Sequence, residues 1–112
     1  MRFPSSLKLP LVAALGVACA DPSGGALLPA EGFVIADDNF FDPINVSIRV
    51  GGTVTWTMGG GPHNVQFFAP AAPLDCQDTT GGDTCVRTFP ARGTFDYSCS
   101  HHDAMVGQVR VD

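Results

Sequence analysis

The sequence predicts an all-β sandwich or barrel built from about seven short strands. Short runs that alternate apolar and polar residues recur along the chain, and a period of two is typical of half-buried strands. The 13 glycines and 9 prolines are spread without a period, which argues against a helix bundle. No stretch keeps a helical period for longer than one turn. Many short strands divided by Gly/Pro turns pack as a sandwich or a barrel.

Length and composition are those of one small globular domain. The chain has 112 residues, of which 45% are apolar and 15% are charged. The low charge and the many Val, Ile and Phe residues exclude a disordered polar chain. Six basic residues against eleven acidic ones give a net charge of −5 at pH 7. No nucleic-acid partner is expected, because the cations are too few to form a basic face.

The first 20 residues have the pattern of a secretory signal peptide. Two basic residues precede a short apolar segment, residues 9–17, which is too short to span a bilayer. Two cleavage sites remain open. An ordinary signal peptidase would cut before Asp21, whereas a lipobox-like sequence at 16–19 would make Cys19 the lipidated first residue. Both alternatives predict an exported protein, and the second adds a lipid anchor.

The segment after the signal peptide predicts a flexible tether. Residues 21–31 begin with Asp-Pro-Ser-Gly-Gly and show no periodicity. The folded domain is therefore expected to span residues 32–112, a size that folds alone with a modest margin.

The alternating runs place the predicted strands in order along this domain. They are residues 33–36, 44–50, 53–58, 63–68, 84–89, 94–99 and 106–111. The second and third strands flank Gly51-Gly52, which predicts a hairpin. Residues 40–43 are predicted to turn into the second strand, and residues 69–83 to form a long loop rich in Pro, Gly and Asp.

The cysteines predict one disulfide and one free thiol. Cys76 and Cys85 are nine positions apart, and in an exported protein a disulfide is the default interpretation. The bond would stabilise the fold by roughly 2–3 kcal/mol by restraining a short loop. The alternative, a metal bound by this pair, lacks a histidine nearby in the sequence. Cys99 is then left without a partner.

Four side chains are expected to converge where two strands meet a loop. Cys99 follows Phe95 and Tyr97 on the inward face of its strand, so its thiol should point into the end of the core. His102 and Met105 follow at intervals of three residues in one tight loop, and His63 begins an inward-facing strand upstream. Soft sulfur with imidazole selects copper, and two His with one Cys and a weak axial Met are typical of a blue-copper site.

These residues resemble the cupredoxin family, to which plastocyanin, pseudoazurin and amicyanin belong. The motifs that carry the resemblance are Val50-Gly51-Gly52-Thr53-Val54-Thr55-Trp56, His63-Asn64-Val65 and Tyr97-Ser98-Cys99-Ser100-His101-His102-Asp103-Ala104-Met105-Val106-Gly107. The short Cys-x-x-His-x-x-Met loop looks most like that of amicyanin. The resemblance covers roughly Phe33 to Val111 and implies a Greek-key β-sandwich or barrel of seven to eight strands.

The resemblance also implies the roles of the site residues. His63, Cys99 and His102 would be the equatorial ligands of one copper ion, and Met105 the axial ligand. Asn64 matches the family residue that pins the cysteine-bearing loop. One position departs from the family: His101 stands where proline is common, so either of the neighbouring imidazoles could bind. The family spacing points to His102.

The counts of His and Cys exclude related copper enzymes. Three histidines are too few for a multicopper oxidase, a copper nitrite reductase or a Cu/Zn superoxide dismutase. A binuclear copper site would need a second cysteine in the ligand loop, which holds only Cys99. With four protein ligands no coordination position stays open for a substrate, so we expect an electron carrier and not an enzyme.

The expected function is one-electron transfer by an exported, monomeric type 1 copper protein. The alternative is periplasmic copper storage or delivery with the same ligands in a more open site. Expected partners are a cytochrome or a membrane electron-transfer complex. The location would be the periplasm, or an anchored position on the outer side of the inner membrane or on the cell surface.

Two surface features bear on the partner. Apolar, glycine-rich loops at 58–62, 68–70 and 104–106 could form a docking patch or simply pack as loops. Asp75, Asp78 and Asp83 form either a solvated turn or a patch that steers a basic partner.

Overall fold

The computed structural model describes residues 27–112. The predicted signal peptide, both cleavage alternatives and the lipidation proposed at Cys19 lie outside the described residues. Within the part of the chain that the structure describes, no helix has the length and apolar character needed to cross a membrane.

The described residues form nine strands. They are β1 (Glu31–Asp37), β2 (Phe40–Asp42), β3 (Asn45–Ile48), β4 (Thr53–Met58), β5 (His63–Phe67), β6 (Cys76–Thr79), β7 (Asp83–Thr88), β8 (Gly93–Ser98) and β9 (Val106–Val111). Along β1, β4 and β9 every second residue is buried, as the alternating sequence predicts.

The strands form two sheets packed face to face, which confirms the predicted all-β sandwich. One sheet has the order β2-β1-β4-β7 and the other the order β3-β9-β8-β5-β6. Between them lies one apolar core whose largest fully buried side chains include Trp56, Tyr97 and Phe89. The rings of Trp56 and Tyr97 meet edge to face with centroids 5.4 Å apart. This core supports the end of the sandwich at which β5 begins and β8 ends.

The predicted hairpin at Gly51-Gly52 is wrong. β3 pairs in parallel with β9 in one sheet, whereas β4 pairs with β1 and β7 in the other. Gly51 has a φ of 85°, a left-handed conformation that glycine adopts without strain, and the chain changes sheets at this point. The alternation shows which side of each strand is buried, but it does not show which strand lies beside it.

Two short strands replace predicted irregular segments. Residues 40–42, predicted as a turn, form β2 and pair antiparallel with the end of β1. Residues 76–79, predicted within a long loop, form β6 at the edge of the five-stranded sheet. Edge strands of three or four residues pair on one side only, so they leave little periodicity in the sequence.

A disulfide joins the edges of the two sheets. Cys76 on β6 and Cys85 on β7 are bonded, and Cys99 is a free, buried cysteine. Since β6 belongs to the five-stranded sheet and β7 to the four-stranded sheet, the bond closes one side of the sandwich.

Candidate metal centre

The first histidine enters the core at the start of β5. The turn over residues 59–62 precedes it, and Gly60 and Gly61 adopt φ values of 55° and 136° there. His63 is 1% exposed and Asn64 is 6% exposed, so two consecutive polar side chains are buried. Consecutive side chains of a strand point to opposite faces of the sheet. Since His63 and Asn64 are both buried, the start of β5 is covered on both faces.

The loop between β8 and β9 folds back on itself through its backbone. The amide of Cys99 donates to the carbonyl of Met105 at 3.0 Å, and the amide of Met105 donates to the carbonyl of His102 at 3.3 Å. Ala104 completes the turn with a φ of 64°. The loop thereby brings the backbone of residues 99, 102 and 105 together, and within it Cys99 and Met105 are buried and His102 is half-buried.

Three donor atoms face one another at this end of the sandwich. The Sγ atom of Cys99 lies 4.0 Å from Nδ1 of His63 and 3.7 Å from Nδ1 of His102. One potential donor atom from each of the three side chains fits within a span of 4.8 Å. Sulfur and nitrogen donors that share one metal ion are about 3.5–3.8 Å apart at ordinary bond lengths and angles. The cluster therefore has the size and the donor set of a thiolate–imidazole metal site.

Burial disfavours the charged form of the His63 imidazole. Desolvation is the main cause that lowers its pKa below the usual 6.5, and the nearby His102 lowers it further. The backbone of Gly59 and the carboxylates of Asp37 and Asp38 oppose the shift. Nε2 of His63 is buried and has no hydrogen-bond partner among the described residues. The neutral form leaves a ring nitrogen free to bind a metal ion.

A model of one protein family matches residues 34–112, and its description reads "Copper binding proteins, plastocyanin/azurin family". The chain belongs to this family. Copper is accordingly the metal that the cupredoxin fold binds here, and the donor set of Cys99, His63 and His102 fits it.

Curated cupredoxins are similar over most of the domain. Plastocyanin of Tetradesmus obliquus is 34% identical over 83 residues, which cover 63% of this chain and 57% of that protein. Amicyanin-alpha of Methylorubrum extorquens is 37% identical over 76 residues, covering 64% of each. Amicyanin of Paracoccus denitrificans is 33% identical over 89 residues, covering 74% of this chain and 68% of that protein. The chain thus spans less than two thirds of the first two relatives.

Solved cupredoxin structures share the fold. A purple cupredoxin from Nitrosopumilus maritimus superposes with a TM-score of 0.65 at 31% identity, covering 72% of this chain and 99% of that one. A variant of amicyanin in its oxidized state superposes with a TM-score of 0.67 at 31% identity, covering 74% and 83%.

The neighbouring histidine at position 101 points elsewhere. Its Nε2 atom lies 3.0 Å from Oδ2 of Asp78 on β6, and its side chain is 36% exposed. The structure therefore brings His63, Cys99 and His102 together and leaves His101 outside the cluster.

Asn64 connects β5 to the loop that carries Cys99. Its Oδ1 accepts the amide hydrogen of Ser100 at 2.9 Å, and its Nδ2 donates to Oγ of Ser100 at 2.8 Å. Ser100 directly follows Cys99, so Asn64 lies where the resemblance to the family expects a pinning residue.

The sequence did not predict that Asp78 is hydrogen-bonded to Asn64. Its Oδ1 accepts a hydrogen bond from Nδ2 of Asn64 at 2.7 Å. Hydrogen bonds from Asn64 and His101 lower the pKa of Asp78 below 3.8 and so keep the carboxylate ionised. No local pattern signals this role, since Asp78 is 14 residues from Asn64 and 23 from His101 and lies in a segment predicted as loop.

Proposed function

We propose that this protein carries single electrons through a type 1 copper site that His63, Cys99, His102 and Met105 would hold, with the sulfur of Met105 as the weakest of the four donors. The observation that carries the proposal is the thiol of Cys99 between two imidazole Nδ1 atoms, at 3.7 and 4.0 Å, in a largely buried cluster. Copper bound there supplies the Cu(I)/Cu(II) couple, and the protein supplies ligands, low polarity and a docking surface.

The protein residues hold the ligand set in one arrangement. Cys99 and Met105 are joined by a backbone hydrogen bond, so the two sulfur-bearing residues of the loop move together. His63 is fixed separately by β5, which pairs with β8 beside the loop. Ligands held by two strands and a short hydrogen-bonded loop should move little when the copper changes its oxidation state. Such a rigid site favours fast electron transfer over catalysis on a bound substrate.

The proposed docking surface is the exposed part of the apolar loop at 104–106, which begins two residues after His102; Val106 within it is 45% exposed. Met58 is buried and belongs to the core. Phe68 is 65% exposed, but it follows the end of β5 that is remote from His63, where its amide donates to the carbonyl of Asp96, so it lies away from the ligand end of that strand.

Asp75 and Asp83 accept local hydrogen bonds, from the amide of Phe67 and the hydroxyl of Thr79. These contacts favour a structural role for both carboxylates over a role in steering the partner. The proposed partner is a cytochrome or a membrane electron-transfer complex that the protein meets after export.

The visible spectrum and the redox behaviour of the copper-loaded protein test this proposal together. We expect an intense Cu(II)–thiolate band that Cys99→Ser abolishes, because an alkoxyl oxygen does not replace soft sulfur. We also expect a reversible couple in voltammetry and slow loss of copper to a chelator. A colourless Cu(II) form would contradict the type 1 site. Rapid loss of copper without a reversible couple would favour storage or delivery instead.

A further inference from the structure

Asp78 contacts residues next to both proposed histidine ligands. One carboxylate oxygen accepts a hydrogen bond from Asn64, which follows His63, and the other lies 3.0 Å from Nε2 of His101, which precedes His102. We propose that Asp78 is a positioning residue that holds β5 and the β8–β9 loop in a fixed relation around the metal. This inference rests on the ligand set proposed above, and we call Asp78, Asn64, Ser100 and His101 the Asp78 network.

The carboxylate determines which way the amide of Asn64 faces. An ionised carboxylate only accepts hydrogen bonds, so the NH₂ group of Asn64 must face Asp78. The amide oxygen is then directed to the backbone N–H of Ser100, at 2.9 Å. A flipped amide would place two acceptors together and leave that N–H without a partner. Asp78 thus orients the bond that holds the residue after Cys99.

The disulfide holds Asp78 in position. β6 is an edge strand that pairs only with β5, through His63 and Val65, with an irregularity between these two pairs. So short a ladder restrains a strand weakly. Cys76 lies two residues before Asp78, is 1% exposed, and is bonded to Cys85 in the opposite sheet. The disulfide therefore fixes the strand from which Asp78 reaches the ligand loop.

The side chain of Asp78 is 57% exposed, so its charge is screened by solvent. Its effect on the site should come from hydrogen-bond geometry more than from its field, and removing it should leave the fold intact. A matched control exists in Asp83, which carries the same charge nearby and accepts a hydrogen bond only from Thr79.

The test compares Asp78→Ala with Asp83→Ala in the full chain. The first measurement is amide hydrogen exchange at Ser100, in copper-free and in Cu(I)-loaded protein. We expect Asp78→Ala to accelerate exchange about threefold to tenfold, because one oriented hydrogen bond is lost. The second is the rate of Cu(II) loss to a chelator, expected to rise on the order of tenfold, as for other outer residues that orient ligands. Asp83→Ala should change both by less than about twofold.

The disulfide is tested by the double variant Cys76→Ser/Cys85→Ser. This variant should accelerate both Ser100 exchange and copper loss, as Asp78→Ala does. Adding Asp78→Ala to it should cause little further change, because the disulfide acts through the same carboxylate. Fully additive effects would overturn the role assigned to the disulfide.

The positioning role would be overturned if Ser100 exchange and copper loss were the same in Asp78→Ala, in Asp83→Ala and in the unaltered protein. This comparison does not need the disulfide variant to fold. Exchange at Ser100 in copper-free protein also separates the two proposals. A protein without a thiolate band but with faster exchange in Asp78→Ala would refute the type 1 site and retain the Asp78 network.

Discussion

Two adjacent histidines meet different groups at the end of the sandwich. Nδ1 of His102 lies 3.7 Å from the sulfur of Cys99, whereas Nε2 of His101 lies 3.0 Å from a carboxylate oxygen of Asp78. The proposed ligand is therefore the second of the pair, and this difference can be tested residue by residue.

His102→Ala should abolish the Cu(II)–thiolate band, and His101→Ala should retain it. The first change removes a nitrogen donor from the cluster, and the second removes only a contact to Asp78. Visible absorption of both copper-loaded variants, with their Cu(II) content measured in parallel, shows which of the two histidines is the ligand. The opposite pattern would move the ligand to position 101.

Met105→Gln should keep the copper bound and lower its reduction potential. Met105 is fully buried, and its carbonyl accepts the amide hydrogen of Cys99, so the side chain is held at the end of the core. The harder oxygen of Gln stabilises Cu(II) relative to Cu(I). Voltammetry measures the shift, and Met105→Leu serves as a control that removes the donor without adding a hard one. An unchanged potential in Met105→Gln would make Met105 a packing residue only.

The pairing of β8 with β9 supports the ligand loop that joins these two strands. The two strands pair antiparallel from Gly93 and Val111 at one end to Ser98 and Val106 at the other. Gly107 lies directly opposite Tyr97, and a Cβ at this position would overlap the phenol ring. The close approach explains the glycine, because the ring is fixed by the core and cannot move aside.

Gly107→Ala should destabilise the protein by roughly 1–3 kcal/mol, the usual cost of overpacking a core. For a domain of this size, the melting temperature should fall by about 4–8 °C per kcal/mol. Gly59→Ala is the control, since a Cβ there would make only ordinary contacts, 3.5 Å from the carbonyl oxygen of Ala36. Thermal unfolding of the copper-free variants measures both. Equal melting temperatures would mean that the Tyr97 ring yields.

A phenol enclosed between the two sheets makes the stability of the whole fold depend on pH. Tyr97 is fully buried, and its hydroxyl forms no hydrogen bond of good geometry. Burial raises its pKa to about 12, although the nearby indole of Trp56 opposes the shift. The folded protein therefore resists ionisation of the phenol, whereas the unfolded chain ionises near pH 10.

Stability should fall as the pH rises above 10. Below that pH the phenol is protonated in both states and has no effect. Between about pH 10 and 12 only the unfolded state loses the proton, so unfolding is favoured by up to about 1.4 kcal/mol per pH unit. Urea unfolding at pH 9 and 11 measures the loss, and Tyr97→Phe should remove it. Tyr97 is the chain's single tyrosine, so tyrosinate absorbance can be assigned to it. A midpoint near pH 10 in the folded protein would contradict the shift.

The all-β class and most of the strand positions follow from local patterns in the sequence. Alternation over 53–58 and 106–111 marks the buried side of each strand, and the structure buries those positions. Cys99, His102 and Met105 likewise belong to one short loop, so the short chain between them limits how far apart they can be. These features are local, and for that reason they can be predicted from neighbouring residues.

Which strands are neighbours, and which polar residues meet, depends instead on long-range packing. β3 and β4 flank a Gly-Gly pair but belong to different sheets, because packing of both faces against one core outweighs the local turn signal. The direction of His101 toward Asp78 depends on β6, which the disulfide holds at the sheet edge. Contacts between residues far apart in the chain depend on the register and packing of whole strands, and no short pattern records them.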